Sequence, residues 1–185
     1  MEFIFLVNKL LALGVILAQV FVILTLAYLL LRRAKPPLVS RLELFFNNIG
    51  RHGIGLAFFA SLAAISGSLF YSQIAGFPPC DLCWFQRIFM YPLAVILGIA
   101  WYKKDSHVLR YAFPLAIVGF AVALYQNAIY YNVSGLNTIC EFSGIGVSCV
   151  KRYVLEFGYV TIPLMSLTAF AMIAIFLILY KLNSK

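Results

Sequence analysis

The sequence predicts an all-α fold of the polytopic membrane class, with a four-transmembrane-helix bundle and an extra N-terminal transmembrane helix. Hydrophobic residues account for 64% of the 185 residues and charged residues for 11%, which is too few charges to cover the surface of a soluble domain. The apolar residues also stand in long blocks, and each block is able to cross a hydrocarbon core about 30 Å thick. These observations exclude an ordinary soluble domain.

Five blocks of the chain are predicted to span the membrane as helices. A helix is favoured over a strand because it satisfies every backbone amide within the segment, and because the period-2 alternation of a membrane barrel is absent. The predicted spans are residues 10–31, 54–74, 84–102, 111–131 and 159–180. The stretch 42–49 is predicted to form a short helix at the membrane surface. Gly119 and the small residues of 60–67 are expected to allow close approach of neighbouring helices.

The first block has the hydrophobicity of a signal peptide but is predicted to remain as an anchor. Its leader, Met1-Glu2-Phe3, lacks a basic start, and its apolar run is too long for that class. The chain is therefore predicted to divide into two parts. Residues 1–50 form an N-terminal transmembrane anchor with a basic cytoplasmic linker, and residues 51–185 form a four-helix domain.

The basic residues predict the orientation of the spans. The formal net charge is +8, and ten of the fourteen lysine and arginine residues fall on one side of the predicted spans. These ten residues are Arg32, Arg33, Lys35, Arg41, Arg51, Lys103, Lys104, Arg110, Lys181 and Lys185. The positive-inside rule places them in the cytoplasm, which predicts a multi-pass protein of the cell inner or plasma membrane with its N-terminus outside and its C-terminus cytoplasmic. Membrane lipid, and no nucleic acid, is the expected partner of this charge, since no basic face with interleaved aromatic residues lies outside the spans.

The four cysteines form two pairs, and the predicted topology places both pairs on the extracytoplasmic side. Cys80 and Cys83 lie in the short loop between the second and third spans, and Cys140 and Cys149 lie in the long loop between the fourth and fifth. Disulfides persist on that oxidising side of the membrane. Three interpretations compete, namely structural disulfides, a metal site and a pair of redox centres.

The spacing within each pair favours redox centres. A Cys140–Cys149 disulfide would close a loop of about ten residues and stabilise the chain by roughly 2–3 kcal/mol. Cys80 and Cys83 would close only a very short ring, and pairs with this Cys-x-x-Cys spacing are commonly reactive. A metal site usually needs two closely spaced pairs, whereas the second pair here has eight residues between its members. No metal site is therefore predicted.

The segment 80–87, with the sequence CDLCWFQR, is predicted to hold a reactive thiolate. Asp81 is expected to cap the third span, which puts Cys83 in the first helical turn, where the helix dipole and free backbone amides favour an anion. Arg87 follows Cys83 by four residues, so its guanidinium lies one turn deeper on the same face and favours the anion further. A charge within a membrane is costly and usually functional, which favours this role over mere extension of Arg87 to the interface.

This placement predicts a two-thiol relay. A thiolate at the membrane surface can attack a disulfide or an electron-poor quinone ring, and two thiols deliver the two electrons that turn a quinone into a quinol. Quinones dissolve in the bilayer and therefore reach this depth. The second cysteine pair lies in a long exposed loop, where it can meet a soluble protein.

Segment 80–87 resembles the signature of the disulfide bond formation protein B (DsbB) family, including its BdbC branch. That signature is a Cys-x-x-Cys, an aromatic residue and an Arg four residues after the second Cys. The order of the pairs is also similar, because the close pair comes first and the second pair follows in the next outer loop. Vitamin K epoxide reductases perform similar chemistry but carry the loop pair before the close pair, so the order disfavours them. The resemblance covers residues 51–181.

The resemblance implies a role for each cysteine and a pair of partners. It implies that Cys80 and Cys83 are coupled to a quinone, ubiquinone or menaquinone, with Cys83 as the thiolate facing the ring and Arg87 beside that ring. It implies that Cys140 forms the mixed disulfide with a DsbA-like thioredoxin-fold oxidase, and that Cys149 then exchanges with Cys80. The implied enzyme is a protein-dithiol:quinone oxidoreductase that supports disulfide bond formation.

The chain also departs from the family pattern. Family members carry a His on the fourth span, thirteen residues before the first loop cysteine, and this chain has Asn127 there, next to Gln126. A proton-handling role for that His therefore does not carry over, and Gln126 is expected either to line the quinone end of the bundle or to anchor the interface. Any short surface helix of the last outer loop is expected at residues 150–157. Two other functions remain open: a transmembrane reductase that runs the relay in reverse, and a membrane protein with purely structural disulfides.

Overall fold

The computed structural model describes residues 2–32, 37–131 and 153–184, apart from the side chains of residues 37–41, and these ranges contain helices and no strands. The long helices are α1 (Glu2–Leu31), α2 (Pro37–Arg51), α3 (Gly53–Leu69), α4 (Asp81–Lys103), α5 (Leu109–Tyr130) and α6 (Ile162–Asn183). A π-helical turn, Phe70–Ile74, extends α3, and a 3-10 turn, Ser106–Val108, precedes α5. The predicted all-α class is confirmed.

Five helices of the described ranges are long and apolar enough to cross a membrane. They are α1, α3 with its π-helical turn, α4, α5 with its 3-10 turn, and α6, and they match the five predicted spans in order. The prediction of a polytopic helical bundle is therefore confirmed. α1 begins at Glu2, earlier than the predicted residue 10. A helix is present at 42–49 as part of the longer α2, and its position at the membrane surface stays a prediction.

The last helix begins later than the hydrophobic pattern predicted, at Ile162 rather than at residue 159. Thr161 is its N-cap, because its hydroxyl oxygen accepts a hydrogen bond from a backbone amide of the first turn at 3.4 Å. The residues before it form a tight turn closed by a bridge between Glu156 and Val160. The expectation of a surface helix at 150–157 is therefore wrong for its described part, since a turn occupies that position.

The connection between α3 and α4 is short and non-helical, and it determines where α4 can begin. Gly76 adopts a left-handed φ of 71°, which glycine reaches without the steric cost that other residues meet. Pro78 and Pro79 follow, and a proline disfavours helical backbone in the residue before it. α4 therefore begins only after the prolines, and Cys80 lies at its N-terminal end.

Small residues let the helices of the bundle approach closely, as predicted. A Cβ atom built on Gly119 of α5 would overlap the ring of Phe170, a fully buried side chain of α6. A Cβ atom built on Gly53 of α3 would lie 2.5 Å from the carbonyl oxygen of Phe176. In the stretch 60–67, Ala60 packs against the core, and several of its small residues also line a cavity that is described below.

α1 lies at the edge of the four-helix bundle, and aromatic rings join its C-terminal half to α2 and α6. The ring of Phe21 packs against Phe176 of α6 with 5.6 Å between centroids. The ring of Tyr28 stacks on Phe46 of α2 at 4.2 Å. Such pairs each contribute about 0.5–1.5 kcal/mol beyond the area that they bury. The extra helix is therefore packed against the bundle in this part of its length.

We predict that Gly53→Ala destabilises the protein, whereas Gly14→Ala does not. The new methyl group at residue 53 meets the backbone of α6, which cannot move aside as a side chain can, and overpacking of this kind costs about 1–3 kcal/mol. No atom lies within 4 Å of a Cβ built on Gly14, so alanine there gains helix propensity without a clash. Thermal unfolding of both variants in the same detergent measures the difference, and equal midpoints would contradict the proposed close contact.

Candidate functional site

Cys80 is the N-cap of α4, and this differs from the sequence prediction. Its backbone is extended, with φ −74° and ψ 168°, whereas Asp81 is already the first residue of the helix. The prediction that Asp81 caps the helix is therefore wrong, because the extended backbone that marks the cap lies one residue earlier, at Cys80. Cys83 still falls in the first turn, as predicted, where the backbone amides have no acceptor within the helix.

One amide group contacts both sulfur atoms of the pair. Nε2 of Gln126, on α5, donates hydrogen bonds to Sγ of Cys80 at 3.1 Å and to Sγ of Cys83 at 3.4 Å. The two cysteine side chains are also hydrogen-bonded to each other, and both are free thiols in this structure. Cys80 is buried and Cys83 is partly exposed. The residues brought together at the site are therefore the predicted pair and one glutamine from a different helix.

The hydrogen bond between the two cysteines makes them chemically unequal. It raises the pKa of the Cys80 thiol above its ordinary value, and burial of that sulfur raises the pKa further. Cys80 therefore keeps its proton and donates it toward Cys83. Sγ of Cys83 receives this donor in addition to the amide of Gln126, so negative charge on the pair is best accommodated at Cys83.

A second glutamine holds the first in place. The Nε2 group of Gln86, on α4, donates a hydrogen bond to the carbonyl oxygen of Gln126, which leaves the Gln126 amide hydrogens facing the sulfurs. Gln126 is 2% exposed and Gln86 is 7% exposed. A buried amide group is costly unless its hydrogen bonds are made, so these partners restrain one another. The sequence left the role of Gln126 open, because a polar residue within an apolar span was its only sign that this side chain has a buried partner.

Arg87 is buried within the bundle and is bonded to α3. Its Nε donates a hydrogen bond to Oγ of Ser68 and its Nη2 donates one to the backbone oxygen of the same residue, both at 3.0 Å. Its guanidinium also lies over the ring of Trp84, 5.2 Å from the centroid. Ser68 comes just before the π-helical turn, a type of distortion that frequently marks functional sites. Both oxygen acceptors are neutral, so they position the cation without neutralising it.

A cleft at the loop end of the bundle, which we call the loop-side cleft, gives access to the cysteine pair. Its volume is about 620 Å³, and both Cys80 and Cys83 line it. The rings of Phe77 and Tyr153, which stack at 4.9 Å between centroids, form part of its wall. Cys80 can therefore be approached from the side of the loops.

A second and larger space, which we call the bundle cavity, lies between the helices and reaches the cysteine pair from that side. Its volume is about 1330 Å³, and its walls are mainly apolar side chains of α1, α3, α4 and α6. Polar side chains gather at one end, among them Cys83, Arg87 and Gln126, which also line the loop-side cleft. Cys80 lines only the cleft, whereas Cys83 lines both spaces. The pair thus lies between a site open to the loops and a site within the bundle.

Asn127 does not contact either sulfur. Its Nδ2 donates hydrogen bonds to the backbone oxygens of Ala123 at 2.8 Å and Pro163 at 2.9 Å, so it joins α5 to the start of α6. This position therefore has a structural contact here. Cys140 and Cys149, the second predicted pair, lie outside the described residues, and their roles stay predictions.

The fold and the site together define a helical membrane protein with a dithiol centre at one end of its bundle. The family description "Disulfide bond formation protein DsbB" matches residues 50–180. A "Probable disulfide formation protein C 2" of Bacillus anthracis is 42% identical over 132 residues, which are 71% of this chain and 91% of the relative. The "Disulfide bond formation protein C" of Bacillus subtilis (strain 168) is 44% identical over 126 residues, 65% of this chain and 86% of the relative. No solved structure matches the chain.

The chain belongs to the DsbB family of disulfide bond formation proteins, as its segment 80–87 predicted. It is a membrane protein, and its role is in disulfide bond formation. The same family membership indicates an oxidoreductase. A "Probable disulfide formation protein" of Coxiella burnetii, 33% identical over 142 residues, shows that the likeness extends beyond the Bacillus relatives; it covers 76% of this chain and 96% of the relative.

We predict that Gln126→Leu lowers the reactivity of Cys83 toward iodoacetamide at neutral pH by about tenfold or more. Leucine fills a similar volume but removes the donor to both sulfurs, and a hydrogen bond to a charged group contributes about 1.5–3 kcal/mol. The measurement is mass spectrometry of alkylated peptides after timed quenching. Gln73→Leu is the matched control, since Gln73 is exposed and lies outside both spaces. Equal alkylation rates in the two variants would show that the amide does not tune the pair.

Proposed function

We propose that this protein is a protein-dithiol:quinone oxidoreductase. It takes two electrons from an extracytoplasmic thioredoxin-like protein of the DsbA type and passes them to a membrane quinone. The observation that carries the proposal is the position of the cysteine pair between the loop-side cleft and the bundle cavity. A thiol oxidase that connects a soluble protein to a lipid-soluble acceptor needs access from both directions, and the two sulfurs have it.

The residues around Cys83 fit a quinone. The bundle cavity is lined mainly by apolar side chains with a few polar groups at one end, which suits a ring with a hydrocarbon tail. Its polar end carries the guanidinium of Arg87, whose bonds to Ser68 go to neutral oxygens. A cation held in this way favours negative charge developing on a carbonyl oxygen nearby. Buried charges inside membranes usually mark substrate sites, which agrees with this role.

The overall reaction balances with two electrons and two protons. The dithiol of the soluble partner loses two electrons and two protons and becomes a disulfide. A quinone bound in the cavity would accept these two electrons and two protons and become a quinol. Within the chain we assign the first exchange to Cys140 and Cys149 and the second to Cys80 and Cys83. Each exchange is the attack of a thiolate on a disulfide sulfur, which releases the other sulfur as a thiolate.

The direction of transfer within the close pair follows from its hydrogen bonds. Cys80 lines only the loop-side cleft, so it is the sulfur that an incoming thiolate from the loops attacks. Cys83 is then the leaving sulfur, and it departs into contact with the Gln126 amide at the mouth of the bundle cavity. A leaving thiolate that is stabilised by donors leaves faster. This order agrees with the roles that the family resemblance implies for the two residues.

The proposal includes an orientation in the membrane. Among the described residues, Arg51, Lys103, Lys104, Arg110 and Lys181 lie at helix ends opposite to the cysteine pair. The positive-inside rule puts that end in the cytoplasm and the pair on the extracytoplasmic side of the plasma or inner membrane. A dithiol centre on this side meets the compartment in which disulfides persist.

We predict that Cys83→Ser abolishes reduction of quinone by a reduced thioredoxin-like partner. The serine hydroxyl is slightly smaller than the thiol and cannot form a disulfide or deliver electrons. The assay uses the purified chain, a reduced DsbA-type protein and either ubiquinone or menaquinone, and follows the loss of quinone absorbance. Ser72→Ala, which lines the cleft without a sulfur contact, is the control and keeps its activity. Turnover by Cys83→Ser would remove Cys83 from the redox centre, and absence of turnover by the unaltered chain would favour purely structural disulfides.

We predict that Arg87→Ala raises the Michaelis constant for quinone by about ten- to a hundredfold. The change removes a charged donor from the polar end of the cavity, and hydrogen bonds to charged groups contribute about 1.5–3 kcal/mol. Arg87→Lys keeps the charge but loses the paired bonds to Ser68, so we expect an intermediate value. An unchanged constant in Arg87→Ala would remove Arg87 from the quinone site.

We predict that Cys80 and Cys83 are mostly oxidised in growing cells. An oxidase is returned to the disulfide state by quinone, whereas a reductase that runs the relay in reverse would keep the pair as thiols. Acid quenching of intact membranes, followed by alkylation with a mass-tagged maleimide, measures the fraction of each state. A mostly reduced pair under aerobic growth would favour the reductase.

A further inference from the structure

α1 forms one wall of the bundle cavity, although it lies outside the part of the chain that matches the family. The family match begins at residue 50, and α1 ends at Leu31. Its residues Leu11, Gly14, Val15 and Ala18 line the cavity. These positions follow the spacing i, i+3, i+4 and i+7, so they share one face of the helix.

The contacts of α1 place this face opposite the bundle without closing the space between them. Before the cavity-lining stretch, the ring of Phe3 meets Phe70 at the end of α3, with 6.2 Å between centroids. After the stretch, Nε2 of Gln19 donates a hydrogen bond to Oγ1 of Thr168 on α6 at 3.3 Å. Gly14 lies between these two contacts, is exposed, and would have no atom within 4 Å of an added Cβ. α1 therefore lies across the cavity and contacts the bundle on both sides of it.

The cavity is arranged to hold a molecule with one polar end and a long apolar part. Its polar end carries Cys83 and Arg87, and its other walls include Ala63 and Gly67 of α3 and Met172 of α6. Small residues on α1 and α3 face the same space, which keeps it wide. An apolar chain that extended from a ring at Arg87 would pass between α1 and α3.

We propose that α1 is the bilayer-side wall of a binding site for the isoprenoid tail of the quinone, with Gly14 and Ala18 in contact with that tail. This inference rests on the proposed function, since it takes the occupant of the polar end to be a quinone ring. It assigns α1 a role in recognition of the tail, in addition to anchoring the chain. The ring contacts stay with Cys83 and Arg87, and the tail contacts belong to α1 and the helices that face it.

The test uses Ala18→Phe, which narrows the cavity, and Ala27→Phe as the matched control on the same helix. Ala27 is exposed and does not line the cavity. Binding of a radiolabelled long-tailed quinone and of a tailless quinone is measured on the full-length chain in nanodiscs. Each variant is compared with the unaltered protein for the same quinone, so partition of the quinone into the bilayer cancels.

We expect Ala18→Phe to weaken binding of the long-tailed quinone about tenfold, because the phenyl ring occupies space that the tail needs, and overpacking of an apolar site is unfavourable. Binding of the tailless quinone should be unchanged, and Ala27→Phe should alter neither. Gly14→Leu, which also reaches into the cavity, should act as Ala18→Phe does. Equal weakening of both quinones by Ala18→Phe, or no weakening of either, would overturn the inference. A lipid acyl chain as the natural occupant would give the second of these results.

The binding measurement separates this inference from the proposed function. If the long-tailed quinone binds as expected but is not reduced in the assay with the thiol partner, the oxidase proposal fails and the tail site stands. If the quinone is reduced but Ala18→Phe binds it normally, the tail site fails and the oxidase proposal stands.

Discussion

The contact between one buried amide and two sulfur atoms is the interaction on which the rest of the site depends. Gln126 comes from α5, whereas both cysteines belong to the start of α4, so the contact ties two helices together at the reactive centre. Because the surroundings are apolar, each polar atom must find a partner within the protein, and Gln86 completes the set. A change in any of these four side chains therefore alters both the position of the sulfurs and their chemistry.

The inequality of the two cysteines gives the pair a direction. Cys80 is buried, keeps its proton and lines only the loop-side cleft. Cys83 receives the hydrogen bonds and also lines the bundle cavity. Two sulfurs of the same kind thus differ because the backbone places one at the cap of the helix and the other in its first turn. That difference suits a centre that accepts electrons on one side and releases them on the other.

Arg87 shows how a charge is kept within an apolar bundle. The cation is bonded to a hydroxyl and a carbonyl oxygen of one serine at the end of α3, next to the π-helical turn. These bonds restrain the guanidinium and offset part of the cost of its burial, while the positive charge itself stays available. α1 then adds an apolar wall to the same cavity from outside the family's common core. The extra helix α1 and the helices of the family-matched region therefore line the same bundle cavity.

The sequence by itself determined the membrane class, the number and order of the spans, and the family to which segment 80–87 points, because hydrophobic length and short local motifs are read along the chain. Local rules were less exact at helix ends, where Cys80 rather than Asp81 is the cap and α6 begins at Ile162 rather than at residue 159. Only the tertiary structure decided that Gln126 reaches the sulfurs, that Ser68 holds Arg87, and that α1 lines the bundle cavity. The physical reason is that these contacts join residues from different helices, and hydrophobic patterning along one helix carries no information about which neighbour it meets.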